Sequence, residues 1–123
     1  MTDITPGTAS VERVVYNADG LVPVVVQNHL TDEVLMLAWM NREALDITLR
    51  EGRVTFWSRS RGELWRKGDT SGHHQYVRGI ALDCDGDTLL VRVEQVGVAC
   101  HTGSVTCFTD RNLEFNPFHR GEE

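Results

Sequence analysis

The chain has 123 residues, 41% of them hydrophobic, with 18 acidic and 12 basic side chains for a formal net charge of −6. That length supports one compact domain, and the acidic balance excludes nonspecific nucleic-acid binding, which rests on phosphate neutralisation by basic surface. No apolar run approaches ~20 residues and no basic or apolar leader follows Met1-Thr2-Asp3, so neither membrane insertion nor export is expected and the expected address is the cytoplasm.

Residues 1–10 carry Thr, Pro, Gly and Ser without apolar periodicity and read as a flexible N-terminal tail, with residues 11–123 as a single domain. A short helix or turn is expected around Val11 to Asn17. Leu21 to Asn28 is β-branched and reads as a strand that turns at Leu30 to Glu33 into a second strand, Val34 to Met40. The pair predicts a hairpin. Asn41 reads as the N-cap of a helix carrying Glu43 in its first turn, then Ala44, Leu45, Ile47, Thr48 and Leu49, with Gly52 as its stop. Arg53 to Ser58 is a third strand, and Tyr76 to Cys84 pairs with Thr88 to Val96 about an Asp-Gly-Asp turn. A short strand through Ser104 to Phe108 and an irregular tail containing Pro117 complete a β-rich α+β fold of antiparallel strands and hairpins with one main helix.

Between the third and fourth strands runs a polar stretch, 58–75, too long for a simple turn and read as a loop. It concentrates Arg59, Arg61, Arg66 and Lys67 in an acidic chain, with Ser71 among its hydroxyls. Arginine forks, backbone N–H groups and hydroxyls together suit phosphate oxygens, so a phosphorylated small molecule fits the local charge. The plainer reading is a solvated basic loop with Trp57 and Trp65 as core anchors.

The run Asp83-Cys84-Asp85-Gly86-Asp87, with Cys100-His101 and Cys107, contains every cysteine of the chain. Thiolates are soft ligands suited to zinc, and clustered carboxylates suit magnesium or another hard cation. Strand alternation would place Asp83 and Asp85 on one side and Cys84 on the other. The plainer readings are an ordinary Asp-rich hairpin turn and buried, inert thiols. If three thiolates hold a zinc ion, the fourth position stays open to water whose pKa falls towards ~7, the arrangement of a catalytic site. His101 is then either a proton carrier or a fourth ligand that closes the site. His73 and His74 are further candidates.

Taken in order, Val34-Leu35-Met36-Leu37-Ala38-Trp39-Met40-Asn41, Phe56-Trp57-Ser58-Arg59, Leu64-Trp65-Arg66-Lys67-Gly68-Asp69-Thr70-Ser71-Gly72, Asp83-Cys84-Asp85-Gly86-Asp87 and Cys100-His101-Thr102-Gly103 closely resemble the phosphoribosyl-AMP cyclohydrolases of histidine biosynthesis. The resemblance runs from about Leu21 to Phe108 and implies the monofunctional form. It implies an intertwined homodimer and hydrolytic opening of the adenine ring of phosphoribosyl-AMP between N1 and C6 by zinc-activated water. It also implies zinc on Cys100 and Cys107 with Cys84 of the partner subunit, and magnesium on Asp83, Asp85 and Asp87. The expected substrate contacts are Arg59, Arg61, Lys67 and Ser71, and His101 is the expected catalytic residue. Two other classes compete. A zinc nucleobase deaminase needs H-x-E and P-C-x-x-C, which this chain lacks; a noncatalytic zinc-stapled dimer needs only the thiols.

Overall fold

Alternating valines build the centre of the main sheet. In the computed structural model, which describes residues 9–117, strands β1 (Val22–Asn28) and β6 (Leu89–Gln95) lie side by side in parallel. Strand β2 (Val34–Met40) flanks β1 and β5 (Gln75–Leu82) flanks β6, both antiparallel, giving the order β2-β1-β6-β5. Every second residue of the central pair, Val22, Val24 and Val26 on β1 and Leu89, Val91 and Val93 on β6, points into the core. Burying each such side chain stabilises the fold by about 1.5–3 kcal/mol, so this stripe carries much of the hydrophobic stabilisation.

Helix α1 (Arg42–Glu51) forms where its caps place it. The Asn41 side chain accepts the Ala44 N–H at 2.8 Å, and Gly52 closes the other end by donating its N–H to the Thr48 carbonyl. Its buried face is Ala44, Leu45 and Thr48. Thr48 also ties the helix to the next strand, since its hydroxyl donates to the Ala44 carbonyl and accepts the Thr55 N–H, each at 2.9 Å.

Three features depart from the expectations above. The polar stretch 58–75 is not all loop: β3 (Thr55–Ser58) and β4 (Glu63–Arg66) form a two-stranded antiparallel sheet. Phe56 faces Trp65 across it with ring centroids 5.5 Å apart, and this aromatic pair outweighs the charges around it. Ser104 to Phe108 is not a strand. Its groups are spent on isolated bonds: Thr106 Oγ1 donates to the Val34 and Leu35 carbonyls and the Cys107 N–H donates to Leu35, leaving no ladder to propagate. The parallel β1–β6 pairing, a nonlocal contact, had no counterpart in the hairpin reading. The expected N-terminal tail lies outside the described residues except for Ala9 and Ser10, the latter capping a 3-10 turn at Val11–Arg13.

Candidate active site and cation site

The segment leaving β4 and the segment leaving β6 face each other across a cleft of about 260 Å³, lined by Lys67, Ser71, His73, Cys100 and His101 among others. Lys67 is only 7% exposed, an unusual burial for an ammonium. Its backbone N–H donates to Val54, its Nζ donates to the Ala99 carbonyl at 2.6 Å, and the charge lies 5.4 Å from the centroid of the Trp65 ring. Burial pulls its pKa below the usual lysine value, while the nearby Cys107 and Cys100 thiols pull it back up.

Cys100, which lines the cleft, and the half-buried Cys107 act on each other's titration and are not equivalent. Cys100, whose Sγ lies 3.0 Å from the Thr102 hydroxyl, has its pKa lowered by hydrogen bonds from Thr102. Cys107 is pushed up by burial and then by Cys100. Cys100 therefore gives up its proton first, and a cation on the pair would draw off the second. His101 is exposed at the lip beside them.

Lys67→Met is expected to separate fold from function. The folded pKa of Lys67 lies below its unfolded one, so the cost of its buried charge is fully present at neutral pH and disappears as pH rises past the unfolded value. The metal-free variant should therefore melt no lower than wild type near neutrality, and its relative advantage should shrink in alkaline buffer. Calorimetry from neutral to alkaline pH checks the sign. Affinity for a cation on the thiols should fall.

Gly68 lets the walls close. Its φ is +91°, and an added Cβ would sit 2.6 Å from the His74 backbone nitrogen, against rigid main chain. Gly68→Ala is expected to lower stability by roughly 2–4 kcal/mol, read by denaturant titration.

The second site is the tip of the β5–β6 hairpin. The strand ends at Leu82, so strand alternation does not align the carboxylates; a tight turn does. Asp83 Oδ1 accepts the N–H groups of Asp87 and Thr88 at 3.0 and 3.2 Å, and ligand oxygens of Asp83, Asp85 and Asp87 lie within 4.8 Å of one another. Desolvation pushes the Asp83 pKa up, but hydrogen bonds from Asp87, Asp85 and the backbone outweigh it and set the value low. Asp87 moves the opposite way, raised first by its hydrogen bond to Asp85, then by desolvation and by Asp83. Three hard oxygen ligands gathered on one turn are a group that could hold a cation.

Cys84, exposed, belongs to this tip and not to the cleft. It follows β5 at one edge of the sheet, whereas Cys107 hangs from Leu35 on β2 at the other. Three inter-strand gaps of about 4.8 Å separate those edges by roughly 14 Å, so the three thiols of one chain do not converge. Among the described residues the three carboxylates are the one triple of potential ligands that gathers.

Of the expected phosphate contacts, Lys67 and Ser71 line the cleft. Arg59 stacks over Trp39, with its guanidinium 4.6 Å from the ring centroid, and Arg61 pairs with Glu63 at the hairpin tip, so neither lines that wall. His74 turns away from the cleft to Arg53, which also pairs with Asp69. Thr102 belongs to the Cys-His-Thr-Gly run singled out in the sequence, whereas the Val98–Ala99 carbonyls went unnoticed, since backbone acceptors leave no signal there. No helix among the described residues is long and apolar enough to cross a membrane.

A small α+β chain that sets a thiol, a buried lysine and two histidines in one cleft, with a carboxylate cluster at a hairpin tip, is built as an enzyme of the hydrolytic class. A family model described as phosphoribosyl-AMP cyclohydrolase matches residues 36–109. Relatives bearing that name include a Clavibacter sepedonicus protein, 71% identical over 82% of this chain and 73% of its own length. A Micrococcus luteus protein is 58% identical over 93% of this chain and 90% of its own, and one from Streptomyces coelicolor is 63% identical over 79% and 76%. The chain belongs to the phosphoribosyl-AMP cyclohydrolase family.

Proposed function

We propose that the protein hydrolyses the adenine ring of 1-(5-phosphoribosyl)-AMP in histidine biosynthesis. Water adds at C6, the C6–N1 bond breaks with N1 taking up a proton, and C6 stays on the imidazole as the carboxamide carbon while N1 becomes part of the formimino group. The observation that carries this reading is the cleft itself, where a thiol pair, His101 and a buried cation meet the phosphate-suited Ser71 in a chain of this family. The soluble cytoplasm suits such a substrate.

The donor set fits zinc. Cys100 and Cys107 would hold it with Cys84 of the partner subunit, since one chain does not bring its own Cys84 near the other two. When bound, zinc supplies an activated water. The protein's own groups do the rest: His101 moves protons at the attacked carbon and at N1, Lys67 stabilises the thiolates, and Ser71 with the Gly68–Gly72 backbone receives phosphate. Arg59 and Arg61 stay proposed phosphate contacts on their charge alone, since neither lines the cleft of one chain.

A second copy is favoured by surface as well. Val34, Leu37, Val105 and Phe108 are exposed around the β2 edge, with Leu113 and Phe115 beyond, more apolar surface than a free monomer needs. The cleft of one chain also falls short of the ~300–1,000 Å³ usual for small-molecule sites.

Magnesium fits the carboxylate tip. Because Asp87 keeps its proton to higher pH than it would unfolded, its contribution to stability falls as pH rises through that window, and a bound cation removes the penalty. Magnesium should raise the melting temperature near neutral pH, less so as pH drops into the carboxylate range, and not in Asp85→Asn. Scanning calorimetry with and without the ion reads this.

The deciding experiment is incubation of purified protein with phosphoribosyl-AMP, following product absorbance with and without a zinc chelator. Turnover that disappears on chelation and returns with zinc supports the reading. A zinc-replete dimer that leaves the substrate unchanged would establish the noncatalytic zinc-stapled alternative instead.

A further inference from the structure

We propose that His73 is a positioning residue for the thiol pair, its Nδ1–H pinning the Val98 carbonyl so that the segment entering Cys100 and His101 is held against the opposite wall. Nδ1 lies 3.1 Å from that carbonyl oxygen. A carbonyl only accepts, so the proton resides on Nδ1 and the ring's tautomer follows from geometry.

The fit around this bond is close. Gly97 has φ +72°, and a Cβ there would stand 2.6 Å from Cδ2 of the His73 ring, so the imidazole rests directly on the backbone it anchors. On the next residue the Lys67 ammonium takes the Ala99 carbonyl at 2.6 Å. Two successive carbonyls ahead of Cys100 are thus each held by a side chain from the facing wall. The far side of the same segment is tied by the Ala99 and Cys100 N–H groups, which donate to the Val105 and Ser104 carbonyls, two and three residues short of Cys107. Slack at Val98 would therefore reach both thiols.

His74 shows the contrast. Its Nδ1 faces an Arg53 nitrogen, which only donates, so it accepts and carries the opposite tautomer. Adjacent histidines are committed to different tasks, and only His73 belongs to the cleft. Its Nε2 makes no hydrogen bond among the described residues, which leaves substrate contact through Nε2 as the rival role.

The effect on a metal rests on the zinc reading above; the clasp does not. Asn and Gln separate the two roles of the ring. In His73→Asn the amide nitrogen stands on Cγ, where Nδ1 stood, whereas in His73→Gln it lies one bond further out, near Nε2. In full-length protein, His73→Gln is expected to weaken zinc binding roughly 10–100-fold, alter the thiolate-to-metal absorption of the cobalt-substituted protein, and speed amide exchange at Cys100 in the metal-free chain, while His73→Asn restores all three.

Each other outcome is decisive. If Gln behaves as wild type and Asn does not, His73 acts through Nε2 and the proposal falls. If both behave as wild type, it has no positioning role. If wild type takes up neither zinc nor cobalt on its thiols, the zinc reading fails while amide exchange still judges the clasp. Should both variants fail to fold, nitrogen-15 spectra of wild-type His73 decide: a proton on Nε2 in place of Nδ1 overturns the proposal.

Discussion

A one-to-one mixture of Cys84→Ser and Cys100→Ser chains, each inactive by itself, is expected to recover about one quarter of wild-type turnover after unfolding and reassembly. Alone, either substitution removes one of three thiolates and should cost zinc and at least ~10³-fold in rate. The recovery follows from where the thiols lie. Cys84 follows β5 at one sheet edge and Cys107 hangs from β2 at the other, so on the zinc reading proposed above an ion held by all three thiolates would have to take Cys84 from a second copy. In a mixed dimer one site inherits both defects. The other combines Cys84 of the Cys100→Ser chain with Cys100 and Cys107 of the Cys84→Ser chain, and is intact. Half of randomly paired dimers are mixed and each carries one working site of two, hence one quarter. A mixture as inactive as its parts, yet dimeric by sedimentation, would mean that the thiols do not meet across subunits.

The same spacing explains what the sequence made legible and what it hid. Local chemistry reads well: Asn41 and Gly52 bracket α1 because capping is a matter of a few adjacent atoms, and Val34–Met40 is a strand because its residues are apolar without a helical break. Strand β4 was missed since Glu63-Leu64-Trp65-Arg66 is short and flanked by charge, and what holds it is Phe56, reached only through the turn. The parallel β1–β6 pair joins residues more than sixty positions apart and leaves no mark in either segment. At the site the pattern was similar. Carboxylates at every second residue of one turn had to be neighbours, and the thiols of Cys100 and Cys107 fell on one segment. That Arg59 would stack on Trp39 while Lys67 buried its charge beneath the cleft depends on nonlocal packing, and nothing in a run of basic residues distinguishes the two.

Replacing His101 with Ala should leave zinc content intact and lower turnover by ~100-fold or more, the usual contribution of a general acid–base group. The side chain stands exposed at the lip beside Cys100, with the cleft on one side and solvent on the other, as a group that exchanges protons with both must. Ring opening needs a proton removed from the attacking water and one delivered to departing N1. Lys67 is engaged with Ala99 and His74 with Arg53, and the Nδ1 of His73 is fixed on Val98, which leaves His101 as the cleft histidine with no hydrogen bond tying it down among the described residues. Loss of proton transfer without loss of binding predicts a fall in kcat with KM nearly unchanged. The competing role, a fourth ligand that closes the site, predicts the reverse signature: His101→Ala would weaken zinc binding and open a position to water. Zinc stoichiometry and steady-state kinetics on one variant therefore separate a proton carrier from a staple, and with it the hydrolase from the noncatalytic dimer.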